Sequence, residues 1–254
     1  MSFPFLRTLL LLFAASWAGL AHGSELRVCA EPDNLPYSHA DGSGFENRIA
    51  ALLAEELGMT LRTTWHLQRR AFVRKTFSEG LCEVWIGVPS DFERTLNTRP
   101  YYRSTYVFVS SKGLLSFEDE RLKALKIGVL LPGDDLAATP AGHALAALGA
   151  VTNVVGYSVY GERPAAERIV EAIARGELDA AVLWGPQVGW FARRKQLSVA
   201  RASAPADVPV PFVFSISVGV KRGAKPLREA LDAALERRRA EVEAILDEYA
   251  VPRL

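Results

Sequence analysis

The 254-residue sequence has two cysteines, four histidines and no excess of either charge, with Lys+Arg 30 against Asp+Glu 29. Each shortage excludes something. Two cysteines cannot build a disulfide scaffold or a structural zinc ribbon. A formal charge of +1 supplies no field for a phosphate backbone, so nucleic acid is not an expected partner. His22, His39, His66 and His143 are scattered, with no His-x-x-x-His pair and no acidic partner at helical spacing, so no zinc site is expected. The acidic runs Asp134-Asp135 and Glu118-Asp119-Glu120 lack the ligand spacing of a calcium loop. Also missing are a Gly-x-Ser-x-Gly elbow, a phosphate-binding Gly-Lys-Ser loop and a Gly-x-Gly-x-x-Gly fingerprint. No catalytic constellation assembles, so the chain reads as a non-enzyme without a metal or cofactor of its own.

What is present is an ordinary globular mixture, 49% hydrophobic and 23% charged, long enough for one or two domains with a substantial core. The N-terminus sets the expected compartment. Arg7 precedes an apolar run from Thr8 to Ala18, and Ala21 and Gly23 stand at −3 and −1 of a cut before Ser24. A charged start, a short apolar middle and a small-residue exit describe a secretory signal peptide over 1–23. The run is shorter than the roughly 20 residues a membrane span needs, so no stable membrane insertion is expected after cleavage. An exported chain permits a bridge between Cys29 and Cys82, and two buried free thiols are the alternative.

Along the mature chain, short apolar strands alternate with helical patterns, which implies βαβ units and parallel sheets. Strands are expected at Leu26–Ala30, Leu61–His66, Val84–Val88 and Tyr106–Ser110. A second series is expected at Lys126–Leu131, Thr152–Val155 and Ala180–Trp184, with a return strand at Phe214–Val220. Helices are expected over Gly44–Leu57, Ala71–Ser78, Ala141–Leu148, Pro164–Arg175, Gln187–Arg194, Pro226–Arg237 and Glu241–Tyr249. The run Arg237-Arg238-Arg239 reads as a solvated helix face. Segments 78–89 and 175–186 echo each other: a helix end, a turn, a buried strand, then Gly and Pro near its carboxyl end. Ser, Gly and Pro cluster near Ser110–Ser116 and Pro205–Pro211. Those clusters divide the chain into one lobe of 24–112 plus 212–254 and a second of 113–211. Ligands of such sheets sit outside the carboxyl ends of the strands, which places a site between the lobes.

The order strand, Gly44-Phe45-Glu46-Asn47 helix and Arg99-Pro100-Tyr101-Tyr102 resembles the type 2 periplasmic solute-binding proteins of ABC transporters: two α/β lobes with a double crossover. Six further segments resemble one branch, the quinoprotein-dehydrogenase-associated binding proteins of the MxaJ and XoxJ type. They are 29–36, 68–74, 99–108, 153–161, Trp184-Gly185-Pro186 and 249–253. The resemblance implies a periplasmic accessory protein whose partner is a methanol or related alcohol dehydrogenase that uses pyrroloquinoline quinone, with an associated cytochrome c as a further partner. The alternative is an ABC-transporter receptor for a small solute that is not an amino acid.

Amino-acid receptors of this superfamily hold the ligand carboxylate with an arginine after the third strand and its amine with an aspartate in the second lobe. Here the first segment reads Pro89-Ser90-Asp91-Phe92-Glu93-Arg94, and Trp184 stands where the aspartate would be. Aromatic residues at strand ends and turns take their place: Tyr37, Tyr101, Tyr102, Tyr157, Trp184 and Trp190. Such side chains suit an apolar ligand or an inserted protein segment, because they bring large area at small entropy cost. The candidate binding residues are Asn34, Tyr37, Arg69, Arg70, Tyr101, Tyr102, Arg103, Tyr157 and Trp184. Ordinary core packing remains the competing reading for any one of these aromatics.

Overall fold

A computed structural model describes residues 24–67, 72–132, 139–161, 163–206 and 208–254. Arg69, Arg70, Asp134, Asp135 and the expected signal segment lie outside them. The first sheet contains β1 (Glu25–Ala30), β4 (Thr60–Trp65), β5 (Val84–Pro89), β6 (Leu96–Asn97) and β12 (Val213–Val220). A small hairpin of β2 (Asp33–Asn34) and β3 (Ser38–His39) follows β1. The second sheet contains β8 (Ile127–Leu131), β9 (Val154–Ser158), β10 (Ala180–Trp184) and β11 (Ser198–Arg201). One strand serves both. In β7 (Tyr102–Ser110), Tyr102–Thr105 pair with β12, and Val107–Ser110 pair with β10 on one side and β11 on the other. The spatial order is β4-β1-β5-β12-β7-β10-β8-β9. The chain therefore passes from sheet to sheet within β7 and returns between β11 and β12, the double crossover of the type 2 fold.

Helices cover both sheets. Helices α1 (Phe45–Glu56), α6 (Lys225–Arg237) and α7 (Arg239–Glu248) enclose one core with Leu26, Ile86 and Val218. The one-turn helix α2 (Phe72–Lys75) supplies Phe72 to a small cluster with Phe77, Cys29 and Cys82. Around the second sheet, α4 (Ala165–Ala174) and α5 (Gly185–Arg194) pack on one face and α3 (Pro140–Ala147) on the other. Cys29 and Cys82 are joined as a disulfide, with Cα atoms 5.5 Å apart.

The start of α1 shows how sequence fixes geometry. The Asn47 side chain accepts from the backbone N–H of Gly44 (3.2 Å) and of His39 (2.8 Å), tying the helix to β3. Gly44 has no room for a side chain, because a Cβ would run into the Tyr37 carbonyl and the Ser38 backbone. Phe45 and Glu46 donate to the Pro36 and Tyr37 carbonyls, so the Tyr37 loop and the first turn of α1 form one unit.

The C-terminal residues brace the two halves. Ser104 Oγ donates to the Pro252 carbonyl (2.5 Å), the Arg201 guanidinium to the Arg253 carbonyl (2.9 Å), and Leu254 N–H to the Arg103 carbonyl (3.2 Å). Trp190 of α5 stacks on Tyr249, with ring centroids 6.0 Å apart. Gly189 of α5 lies so close to the Ala250 carbonyl that a Cβ would collide with it. Gly189→Ala is therefore expected to destabilise by about 1–3 kcal/mol, the usual cost of overpacking, read as a lower denaturant midpoint. An unchanged midpoint would show that this seam yields freely.

Several elements differ from the sequence expectation. The helix expected over Ala71–Ser78 is a single turn, after which the chain turns towards Cys82. The strand expected at Thr152–Val155 runs over Val154–Ser158, drawn along by parallel pairing with β8. Strand β7 starts four residues earlier than expected because Tyr102–Thr105 pair with the distant β12. The arginine run is not simply solvated: Arg237 and Arg238 reach Glu56 of α1 (2.5 and 3.3 Å), and Arg239 pairs with Glu236 (2.5 Å).

Candidate functional site: an aromatic cavity between the sheets

The carboxyl ends of β5 and β10 and the upper part of β7 face a cavity of about 350 Å³. Asn34 and Tyr37 border it from the hairpin loop, Glu46 from α1, Trp85, Gly87 and Pro89 from β5, and Tyr102 and Tyr106 from β7. Trp184 closes the end of β10, and Phe214 and Ile216 come from β12. The rings form a connected wall. Trp184 meets Tyr106 and Phe214 edge-on at 5.6 and 5.5 Å between centroids, and its indole lies beside the Tyr37 hydroxyl across the gap. A second cavity of about 320 Å³ shares Tyr106 and Trp184 and continues over Leu130, Pro140 and Gln187. A third, of about 230 Å³, shares Asn34 with the first and Gln187 with the second. Together they make a groove between the sheets.

One charged side chain reaches the first cavity. Glu46 is 8% exposed, and among the described residues no hydrogen bond or ion pair meets its carboxyl group. It lies over Gly87, whose φ of +80° no other residue adopts without strain and where a Cβ would occupy the place of the carboxyl oxygen. Burial pushes the Glu46 carboxyl up to about 8 from its ordinary 4.5. Tyr37, Tyr101 and Tyr102 face it; burial first, then neighbouring groups including Glu46, hold their hydroxyls well above the usual tyrosine value. Burial likewise raises Tyr106 to about 12. These phenols stay neutral at any working pH.

The raised Glu46 value makes a stability prediction. The folded state holds this proton more tightly than the unfolded chain, so the contribution is complete below pH 4.5 and is lost as pH rises through about 8. Glu46→Gln is expected to match the wild type near pH 4.5 and to exceed it by on the order of 2–4 kcal/mol near pH 9. Urea titrations at both pH values check this. A constant difference would mean that Glu46 ionises normally in the fold.

Of the residues singled out in the sequence, Asn34, Tyr37, Tyr102 and Trp184 line the first cavity. Tyr101 packs behind Tyr102 with centroids 4.9 Å apart, its hydroxyl buried and without a partner among the described residues. Arg103 is exposed on the opposite face of β7, as strand alternation after Tyr102 demands. Tyr157 lies on β9 against the second core, with the Arg168 guanidinium 6.0 Å from its ring centre. Trp190 belongs to the C-terminal seam. Sequence reading missed Glu46, Trp85, Gly87, Tyr106 and Phe214. Glu46 had left a signal: with Ala50 and Ala54 it forms an i, i+4, i+8 stripe on the buried side of α1.

Two α/β halves, a double crossover and a groove at the strand ends define a periplasmic binding protein of the type 2 fold. The chain is 32% identical to Protein MoxJ of Paracoccus denitrificans over 253 residues, covering 92% of this chain and 91% of that protein. It belongs to the MoxJ family. The crystal structure of the periplasmic binding protein XoxJ from Methylobacterium extorquens AM1 superposes with a TM-score of 0.74 at 35% identity, covering 90% of this chain and 99% of that one. MxaJ from Methlophaga aminisulfidivorans MPT superposes with a TM-score of 0.78 over 90% of this chain and 100% of that one; at 23% identity that likeness speaks to the fold. No family model matches the sequence. No helix among the described residues is long and apolar enough to cross a membrane.

Proposed function

We propose that the chain is a non-enzymatic periplasmic accessory protein that holds an exposed segment of a quinoprotein alcohol dehydrogenase in its inter-sheet groove, aiding maturation or activation of that enzyme. Export would be followed by cleavage near Gly23/Ser24. The lobes 24–112 plus 212–254 and 113–211 would be the units that embrace the segment, with β7 common to both. The observation that carries the reading is the groove itself: two adjoining cavities walled mostly by aromatic and aliphatic side chains, continued by a third with a polar rim that includes Glu31, Asp33 and Arg163. An extended segment bearing large side chains fills such a groove better than a polar solute does. The C-terminal brace adds support, because bonds from both halves converge on residues 252–254 and resist wide rocking. An associated cytochrome c would be a further partner.

A receptor for a small solute is the second reading, favoured by the first cavity's volume of about 350 Å³, within the ordinary range of small-molecule sites. Titrating the mature chain into the metal- and quinone-free dehydrogenase of its own source cells separates the two. Saturable binding, together with a faster gain of activity on adding quinone and metal, supports the accessory role. No binding in any loading state of the enzyme contradicts it.

A further inference from the structure

The first cavity combines three features that neither an apolar lining nor a peptide groove requires. Its wall includes the rings of Tyr37, Tyr102, Tyr106, Trp184 and Phe214. Its one charged lining group is Glu46, and no basic side chain of the described residues lines it. Glu46 is more than nine-tenths buried, its carboxyl group opens to the cavity and meets no hydrogen bond or ion pair among the described residues, and Gly87 withholds a side chain to make room for it. A buried acid with no partner is a standing cost unless something enters to satisfy it. Ring faces attract cations, and a carboxylate at the end of an aromatic box completes a site for a single positive charge on an apolar stem.

We propose that this cavity binds an alkylammonium group, the Glu46 carboxylate pairing with the cation and the surrounding rings enclosing its methylene stem. The inference rests on the groove being the working site, as proposed above, but not on the occupant being a protein. The same chemistry is offered by a lysine side chain on an inserted segment and by a free small amine. Proton traffic follows from the geometry. In the empty site near neutral pH the carboxyl is protonated, so each cation bound there displaces that proton to solvent. The other titratable groups around it are the phenols of Tyr37, Tyr101, Tyr102 and Tyr106, which remain neutral.

Isothermal titration of the mature chain with n-butylammonium, with Nα-acetyl-lysine N-methylamide and with neutral 1-butanol tests this directly. Both amines are expected to bind more tightly than butanol, with release of about one proton per amine near pH 6.5, seen by repeating the titration in buffers of different ionisation enthalpy. Amine affinity is expected to rise about tenfold per pH unit up to about pH 8 and then level off, since an alkylamine keeps its proton to about pH 10. Glu46→Gln is expected to lose about tenfold or more of the amine affinity and all of the proton release, and so to abolish the preference for the amine over butanol. Gly87→Ala, which displaces the carboxyl group, is expected to do the same. Tighter binding of the lysine derivative assigns the ammonium group to a segment; tighter binding of butylammonium assigns it to a free amine.

Equal affinity for butanol and butylammonium, or amine binding without proton release near pH 6.5, overturns the inference. The two proposals fail separately. Capture of the dehydrogenase without amine binding sinks the ammonium site and leaves the accessory role. Amine binding without capture of the enzyme does the reverse.

Discussion

Replacing Cys29 and Cys82 together by alanine is expected to lower the folding stability by about 4 kcal/mol. The bridge closes 53 residues of chain, and in the chain-entropy account most of its effect lies in restricting the unfolded state. In the folded state it joins β1 to the turn entering β5, two parallel neighbours whose connection along the chain carries β4 and the α2 turn. Parallel neighbours require a long connection, so the closure entropy is large where the cross-link acts. For a chain of this size the melting temperature should fall by roughly 8–16 °C. Paired denaturation curves of the wild type, oxidised and reduced, and of the double variant check the value. A loss below about 1 kcal/mol would show that the unfolded chain already keeps β1 and β5 together without the bond.

Trp184→Ala is expected to weaken capture of the partner about 30-fold or more while shifting the melting temperature only slightly. Trp184 is half-buried at the end of β10, where it belongs to the first and second cavities of the groove. It meets the rings of Tyr106 and Phe214, both cavity residues, and packs against the edge of the first core without being part of its buried centre. Truncation therefore merges two binding spaces and leaves the deep cores intact, because residues such as Leu183 and Val182 beside it stay fully buried. Measuring affinity for the dehydrogenase alongside thermal unfolding separates the outcomes. Unchanged affinity, or loss of the cooperative transition itself, would place Trp184 in the fold rather than in the site.

The parts of this fold that local physics decides were legible in the sequence. Strand β10 runs over Ala180–Trp184 as expected, since an unbroken apolar run ends at Gly185-Pro186. Helix α1 ends within a residue of expectation because Gly58, at φ +62°, stops it as a helix-terminating glycine does. What failed depended on distant partners. Ser198–Arg201 is a strand because it pairs with β7, and nothing in those four residues announces it.

The site divides along the same line. Asn34, Tyr37 and Trp184 stand at turns and strand ends, where ligands of such sheets are expected. Tyr102 and Arg103 are adjacent, so only one can face the cavity, and the pairing with β12 decides which. Glu46 was passed over because a carboxylate beside a phenylalanine reads as the polar edge of a helix. Its burial follows from Gly87, which lies 41 residues away in the sequence (87 minus 46) and makes the space it fills.

The most direct test of the central claim is native mass spectrometry of the tagged mature protein recovered from the periplasm of its own source cells. The account predicts co-purification with the large subunit of a quinoprotein dehydrogenase, lost when Trp184 is alanine. A stoichiometric small-molecule adduct with no protein partner would contradict it and would mean that the groove serves solute capture.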